Sequence, residues 1–307
     1  MRTKIVVGSR SSQLALIQAE SVAAKLREAN PDIEISLSKI ATEGDRRYRT
    51  QFTQMAGIGV FVKELEEALL DGRIDLAVHS LKDMPTEIPA GLCLAAVTKR
   101  LDPRDVLVSR SKTLAELAPG ARIGTGSPRR TLQLSRYRPD LKVLAIRGNI
   151  DTRLGKVAKG ELDGIILAAA ALIRLGWQDR ISDFLPVEPF LPAVGQGALA
   201  LEIRRDDDKI TNLISSLNDP STWQEITAER ALLRALGGGC RAPIAALGTA
   251  SGNSIKLDGM VADTSGKQAI YAAAEGQANA PEEIGKELAQ KLLDMGAADF
   301  LDEVKAE

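Results

Sequence analysis

The 307-residue chain is poor in the groups that most often announce a chemistry. Its only cysteines are Cys93 and Cys240 and its only histidine is His79. Two thiols argue against a disulfide scaffold, and no His/Cys cluster has zinc spacing, so no metal is expected. A formal net charge of −1 leaves no global basic field, which argues against bulk nucleic-acid binding. No uninterrupted apolar stretch approaches membrane-spanning length, and the opening run Met1 to Gly8 lacks the apolar region and cleavage site of a signal peptide. Neither a P-loop nor a dinucleotide fingerprint is present, so nucleotide binding is unsupported. These absences describe a soluble, reduced, cytoplasmic protein with no nucleic-acid or membrane partner. What remains is ordinary globular composition, 44% apolar and 26% charged, on a length suited to two or three domains.

The chain opens with a strand-like Ile5-Val6-Val7, a loop from Gly8 to Ser12, and Ala15, Ala19, Val22 and Leu26 at helical spacing. Ser11 or Ser12 is placed to cap that helix. Ile33 to Ile40 alternates as a second strand, and a long Gly-punctuated connection runs from Ala41 to Gly59. A helix over Val60 to Leu70 and a buried-type strand over Ile74 to Val78 follow. The second third repeats this grammar. Gly124 matches Gly8 and Leu132 matches Leu16 at one offset, and Gly160-Glu161-Leu162-Asp163 echoes Gly72-Arg73-Ile74-Asp75. Two such matches in order predict two α/β domains of similar plan. Lys99 to Asp105 and Leu191 to Ala198 read as crossings between them, and Ala198 to Ile203 reads as a strand returned to the first sheet. Ser221 to Leu236 is a strong helix. Beyond Cys240, antiparallel strands at Ile255–Val261 and Gln268–Ala274 and a helix over Pro281–Met295 predict a small α+β domain. The expected boundaries are 1–98 with 196–218, then 99–195, then 219–307.

Three constellations carry chemistry. Ser127-Pro128 is an N-cap followed by proline at the first helical position, so free backbone N–H groups face the loop before it. Arg129 and Arg130 in that first turn oppose the helix dipole, which favours an anion-binding role over a structural one. Arg10 occupies the equivalent loop of the first half, and Arg147 follows another strand. Several arginines at strand ends imply a ligand with several carboxylates or phosphates, the alternative being solvated surface cations. The second constellation is Ser80-Leu81-Lys82-Asp83-Met84-Pro85. Asp83 there is either a turn former or a general acid/base that steadies a developing cation. His79, one step back in an apolar strand, reads as a packed histidine before a catalyst. The third is Gly237-Gly238-Gly239-Cys240, either a helix stop or a thiol on backbone that other groups can approach closely. Cys93, in an apolar run, reads as packing.

Five segments in order, Ala77 to Pro85, Asp102 to Asp105, Arg147-Gly148-Asn149, Leu191 to Gly197 and Gly237 to Cys240, closely resemble the porphobilinogen deaminase (hydroxymethylbilane synthase) family over nearly the whole chain. The resemblance implies two α/β domains like those of periplasmic binding proteins with a cleft between them, plus the small C-terminal α+β domain. It implies a monomeric transferase that joins four porphobilinogen molecules head to tail, releases ammonia and frees hydroxymethylbilane. A dipyrromethane cofactor, joined by a thioether to Cys240, primes the chain. By the same resemblance Asp83 is the catalytic carboxylate. Ser80, Lys82, Thr125, Ser127, Arg129, Arg130 and Arg147 hold the cofactor, and Arg10, Ser12, Arg147, Arg153 and Arg174 hold substrate or the growing chain. One departure is Ala56-Gly57-Ile58-Gly59, where the family commonly has Gly-Gly-Lys-Gly; Ile58→Lys is expected to preserve activity.

Overall fold

The computed structural model describes residues 4–41, 62–110, 112–237, 243–263 and 268–301. Ile58 and Cys240, with the motifs around them, lie outside the described residues. In chain order the elements begin with β1 (Lys4–Arg10), α1 (Gln13–Ala29), β2 (Glu34–Ile40), α2 (Lys63–Leu70), β3 (Leu76–Ser80) and β4 (Leu92–Val97). They continue with β5 (Asp105–Ser109), β6 (Arg122–Thr125), α3 (Pro128–Tyr137), β7 (Lys142–Ala145), α4 (Ile150–Ala158), β8 (Gly164–Ala168), α5 (Ala169–Leu175) and β9 (Asp183–Phe184). Last come β10 (Leu199–Arg204), α6 (Asp208–Ile214), α7 (Pro220–Ala235), β11 (Ile244–Ser251), β12 (Ser254–Ala262), β13 (Ala269–Gln277) and α8 (Pro281–Leu292).

The chain divides into two compact units, residues 1–101 with 198–223 and residues 102–197 with 224–307. The first unit holds a five-stranded sheet in the order β2-β1-β3-β10-β4. β1 runs parallel to β2 and β3, while β10 is antiparallel to β3 and β4. Helices cover both faces: Ala19, Val22 and Leu26 of α1 pack with Ile5, Val7, Leu76 and Leu201, and Leu65 and Leu69 of α2 pack with Ile74, Ala77 and Leu92. Two covered faces make the central strands read as apolar runs, which is why β3 and β10 are legible without alternation.

The second unit repeats that sheet as β7-β6-β8-β5-β9, again with two parallel pairings and an antiparallel fourth strand. The repeat holds to the residue. Val7 and Gly8 pair with Leu76 and Ala77, and their counterparts Ile123 and Gly124 pair with Gly164 and Ile165. Asp75 Oδ2 accepts from Val6 N at 2.9 Å, and Asp163 Oδ2 accepts from Arg122 N at 2.8 Å. Gly124 has no room for a side chain, since a Cβ there would stand 2.7 Å from Leu162 Cδ1; Gly8 is closed off in the same way by Ile74. Each sheet takes as its fourth strand the segment that has just crossed over: β5 follows the first crossing and β10 the second.

The third sheet, β11-β12-β13, is antiparallel and belongs to the second unit. One face carries Ile255, Leu257 and Val261 against Leu232 of α7 and Ile284, Leu288 and Leu292 of α8. Ala245, Leu247 and Met260 on the other face meet Leu132 and Leu191. Some boundaries differ from expectation. The first strand runs on through Gly8 to Arg10, the third starts at Leu76 rather than Ile74, and the last helix stops at Leu292 before a turn in which Gly296 has φ 99°.

Candidate active site

At the end of β1 the chain turns into α1 through Ser12, whose Oγ accepts from Ala15 N at 3.4 Å as an N-cap. β3 ends beside it and passes into a single 3₁₀ turn, Leu81–Asp83, fixed by Leu81 N donating to Ala198 O (3.1 Å) and Met84 N donating to Leu81 O (3.0 Å). These two strand ends enclose a pocket of about 60 Å³ whose wall includes Arg10, Ser12, Gln18, His79, Ser80 and Asp83. Gln18 Nε2 donates to Ser80 Oγ at 2.9 Å, tying α1 to β3 across the pocket floor. Asp83 is half-buried, and its carboxylate has no hydrogen-bond or ion-pair partner among the described residues. A half-buried carboxylate without a partner, beside Arg10, is arranged to meet a cation brought by something else. Lys82 stands next to it, half-buried.

The second unit builds a different group. Ser127 caps α3 as expected, its Oγ accepting from Arg130 N at 3.5 Å with Pro128 at the first helical position. Ser127 N in turn donates to Thr125 Oγ1 at 3.2 Å. Arg129 and Arg130 are buried, and the countercharge that lets them sit in the first turn of α3 is Asp105. Its carboxylate takes Arg129 Nη2 at 2.8 Å and Arg130 Nη2 at 2.7 Å. Burial alone would raise the Asp105 pKa, but Arg129 and Arg130 outweigh it and hold the carboxyl far below the ordinary range. Gln196 Nε2 reaches both Asp105 Oδ1 (2.9 Å) and Pro103 O (2.7 Å), so the two crossings are bonded side by side. Glu229 of α7, fully buried, holds the same stretch by accepting from Gly195 N at 2.7 Å and from Gly248 N at 2.8 Å.

The remaining arginines are less enclosed by their own fold. Arg147 is exposed on the loop after β7, and Arg153 Nε donates to Gly148 O at 2.8 Å. A Cβ on Gly126 would stand 2.7 Å from Ile146 O and 3.9 Å from Arg153 Nη2, so the Thr125–Ser127 loop and Arg153 are neighbours. Arg174 Nη2 donates to Gly197 O at 2.7 Å. Burial pushes its pKa down to about 10, and no carboxylate pairs with it among the described residues. That is the environment of a guanidinium whose counter-ion arrives with a ligand, and it fits a group rich in carboxylates.

The structure therefore gathers Arg10, Ser12, Ser80 and Asp83 in one pocket of the first unit. It gathers Thr125, Ser127, Arg129, Arg130 and Arg153 around one loop of the second. The sequence reading passed over Gln18, Glu66, Glu202 and Glu229, and placed Asp105 and Gln196 in the crossings with no role of their own. The available signal was a charged residue inside an apolar run, as in Leu199-Ala200-Leu201-Glu202-Ile203, since a buried charge demands a partner. Among the described residues no group of His, Cys, Asp and Glu is arranged to hold a metal ion, and no helix is long and apolar enough to cross a membrane.

Residues 5–212 match the family model described as "Porphobilinogen deaminase, dipyromethane cofactor binding domain", and residues 223–294 match "Porphobilinogen deaminase, C-terminal domain". Porphobilinogen deaminase of Pelobacter propionicus is 47% identical over 97% of this chain and 96% of its own. That of Geobacter metallireducens is 48% identical over 97% and 94%. Among solved structures, the periplasmic VFT2 domain of Bordetella pertussis BvgS aligns at TM-score 0.41 and 16% identity, covering 70% of this chain and 87% of that one. With two family models matched in order, and nearly half of all positions shared with full-length relatives, the chain belongs to the porphobilinogen deaminase family.

Proposed function

We propose that this chain is a transferase that condenses four porphobilinogen molecules head to tail into hydroxymethylbilane, releasing ammonia at each step, in the synthesis of tetrapyrroles. The observation that carries the mechanism is the half-buried carboxylate of Asp83, without a partner among the described residues, in a pocket shared with Arg10 and Ser12. Loss of ammonia leaves positive charge on a pyrrole, and a fixed carboxylate is worth most where charge develops away from water. Asp83 is the catalytic residue on this reading. Arg10 and Ser12 hold the acetate and propionate of the incoming substrate, with Arg147, Arg153 and Arg174 serving the carboxylates of the lengthening product. When bound, dipyrromethane supplies the pyrrole end to which substrate is added. Cys240 tethers it, and Ser80, Lys82, Thr125, Ser127, Arg129, Arg130 and Arg147 hold its acid side chains. Arg129 and Arg130 do so while sharing Asp105: two guanidiniums and one carboxylate keep a net positive charge for an anion. The enzyme acts as a cytoplasmic monomer of three domains, at 1–98 with 196–218, 99–195 and 219–307.

Intact-mass measurement tests the reading. The purified protein is expected to carry a stable excess equal to two pyrrole units that disappears in Cys240→Ser. Asp83→Asn is expected to keep that mass and lose at least about 100-fold in turnover. Active protein without the added mass, or near-normal turnover by Asp83→Asn, overturns it.

A further inference from the structure

His79 sits one residue before the pocket-lining Ser80, and β10 lies beside it with Ala200 directly opposite. Glu202, two residues along β10, is its diagonal neighbour on the same face of the sheet. Glu202 Oε2 stands 2.9 Å from His79 Nε2, with the two side chains 0% and 2% exposed. Glu66 of α2 completes a buried group of three. Burial, then the nearby Glu202, push the Glu66 carboxyl up, while His79 pulls it back. Glu66 Oε1 and Glu202 Oε1 are buried with no hydrogen-bond partner among the described residues. Two carboxyls buried beside one imidazole make it costly to ionise both. A neutral imidazole that donates from Nε2 to Glu202 keeps a lone pair on Nδ1. His79 itself forms part of the wall of the pocket that holds Asp83 and Arg10. A buried ionic group is a poor source of stability, which turns attention to what it can do.

We propose that His79 is the second proton-handling group of this pocket, with Glu202 and Glu66 as its positioning residues. The proposal rests on the reaction read above. In each condensation the C–N bond of an ammonium breaks, and its electron pair leaves with ammonia. A C–C bond then forms, and a C–H bond returns its pair to the pyrrole ring and frees a proton. The imidazole takes that proton at Nδ1 and hands it to the ammonia, which departs as ammonium, so His79 ends each cycle as it began. The charged and titratable groups around it are Glu202 from β10 and Glu66 from α2, with Arg10 of β1 and Asp83 of the turn after β3 on the pocket wall it shares. Cys93 of β4 pairs with Ile203, on the opposite face of the sheet from Glu202.

Because His79 is the only histidine, a holoenzyme labelled in its imidazole ring gives one set of ring signals in an NMR spectrum. Those signals are expected to titrate, and to move when porphobilinogen is added to Asp83→Asn holoenzyme. In Glu202→Gln the pH–rate profile shifts to lower pH, because imidazolium loses its counter-charge. His79→Gln loses about 100-fold or more in kcat with KM little changed. Signals that neither titrate nor respond to porphobilinogen, or His79→Gln with the parent rate and profile, overturn the proposal. If His79→Gln or Glu202→Gln does not fold, the spectrum of the parent protein and the profile of Glu66→Gln decide. A negative outcome in protein that carries the two-pyrrole mass overturns this inference alone, whereas absence of that mass from active enzyme overturns the underlying reading.

Discussion

Asp105 has no exposed surface and answers to two buried guanidiniums at once. Removing its charge in Asp105→Asn strands two cations in the interior, a cost of about 3–5 kcal/mol. Its pKa is depressed in the folded state, so its contribution is present above the unfolded value near 4 and drains away as pH falls below it. Urea melts of parent and variant are therefore expected to differ most above about pH 4 and to converge on acidification; a gap that stays constant with pH would remove Asp105 from this role. Asp83, Ser127 and the arginines were legible at this scale because their neighbours form motifs within a few residues. The His79–Glu202 pair was not, since 123 positions separate its members and only strand pairing brings them together. Asp105 was legible as part of a charged crossing but not as the countercharge of Arg129 and Arg130, for the same reason.

Elements in this chain are set close together by glycine, and the same substitution has opposite consequences at two of them. Gly285 of α8 faces α7, where an added Cβ would stand 2.6 Å from Ala231 Cβ and 2.7 Å from Leu232 N. Gly155 of α4 has nothing within 4 Å of that position. Gly155→Ala is expected to stabilise the protein by about 0.5–1 kcal/mol through helix propensity. Gly285→Ala is expected to destabilise it by about 1–3 kcal/mol, because helix backbone cannot step aside as a side-chain tip can. Chemical denaturation of both variants checks the pair, and equal signs would refute the packing argument. The glycines of the internal repeat were readable beforehand as a matched pair, Gly8 and Gly124, but the close approach of Ile74 and Leu162 that leaves no room for another residue type was not. β11 was not readable: Ile244-Ala245-Ala246-Leu247-Gly248 has no alternation and only Ile244 as β-branched bulk, and its strand state comes from pairing with β12.

At the scale of the whole molecule, the return of β10 to the first sheet was legible as an apolar run after a Gly-rich crossing. The matching transfer of β5 to the second sheet was not, hidden behind the charges of Asp102 to Asp105. A chain cut after Gly197 lacks the strand that joins β3 to β4 and leaves both with a bare edge. That fragment is expected to aggregate or stay unfolded by size exclusion and circular dichroism, although it holds four of the first sheet's five strands; a soluble, native-like fragment would show that β10 is dispensable. The same arrangement imposes a schedule on synthesis. Ribosomes add roughly 5–20 residues per second, so β10 emerges about 5–20 s after β4. During that interval the nascent first sheet has an open slot between β3 and β4, and chaperone demand during expression should fall on that window.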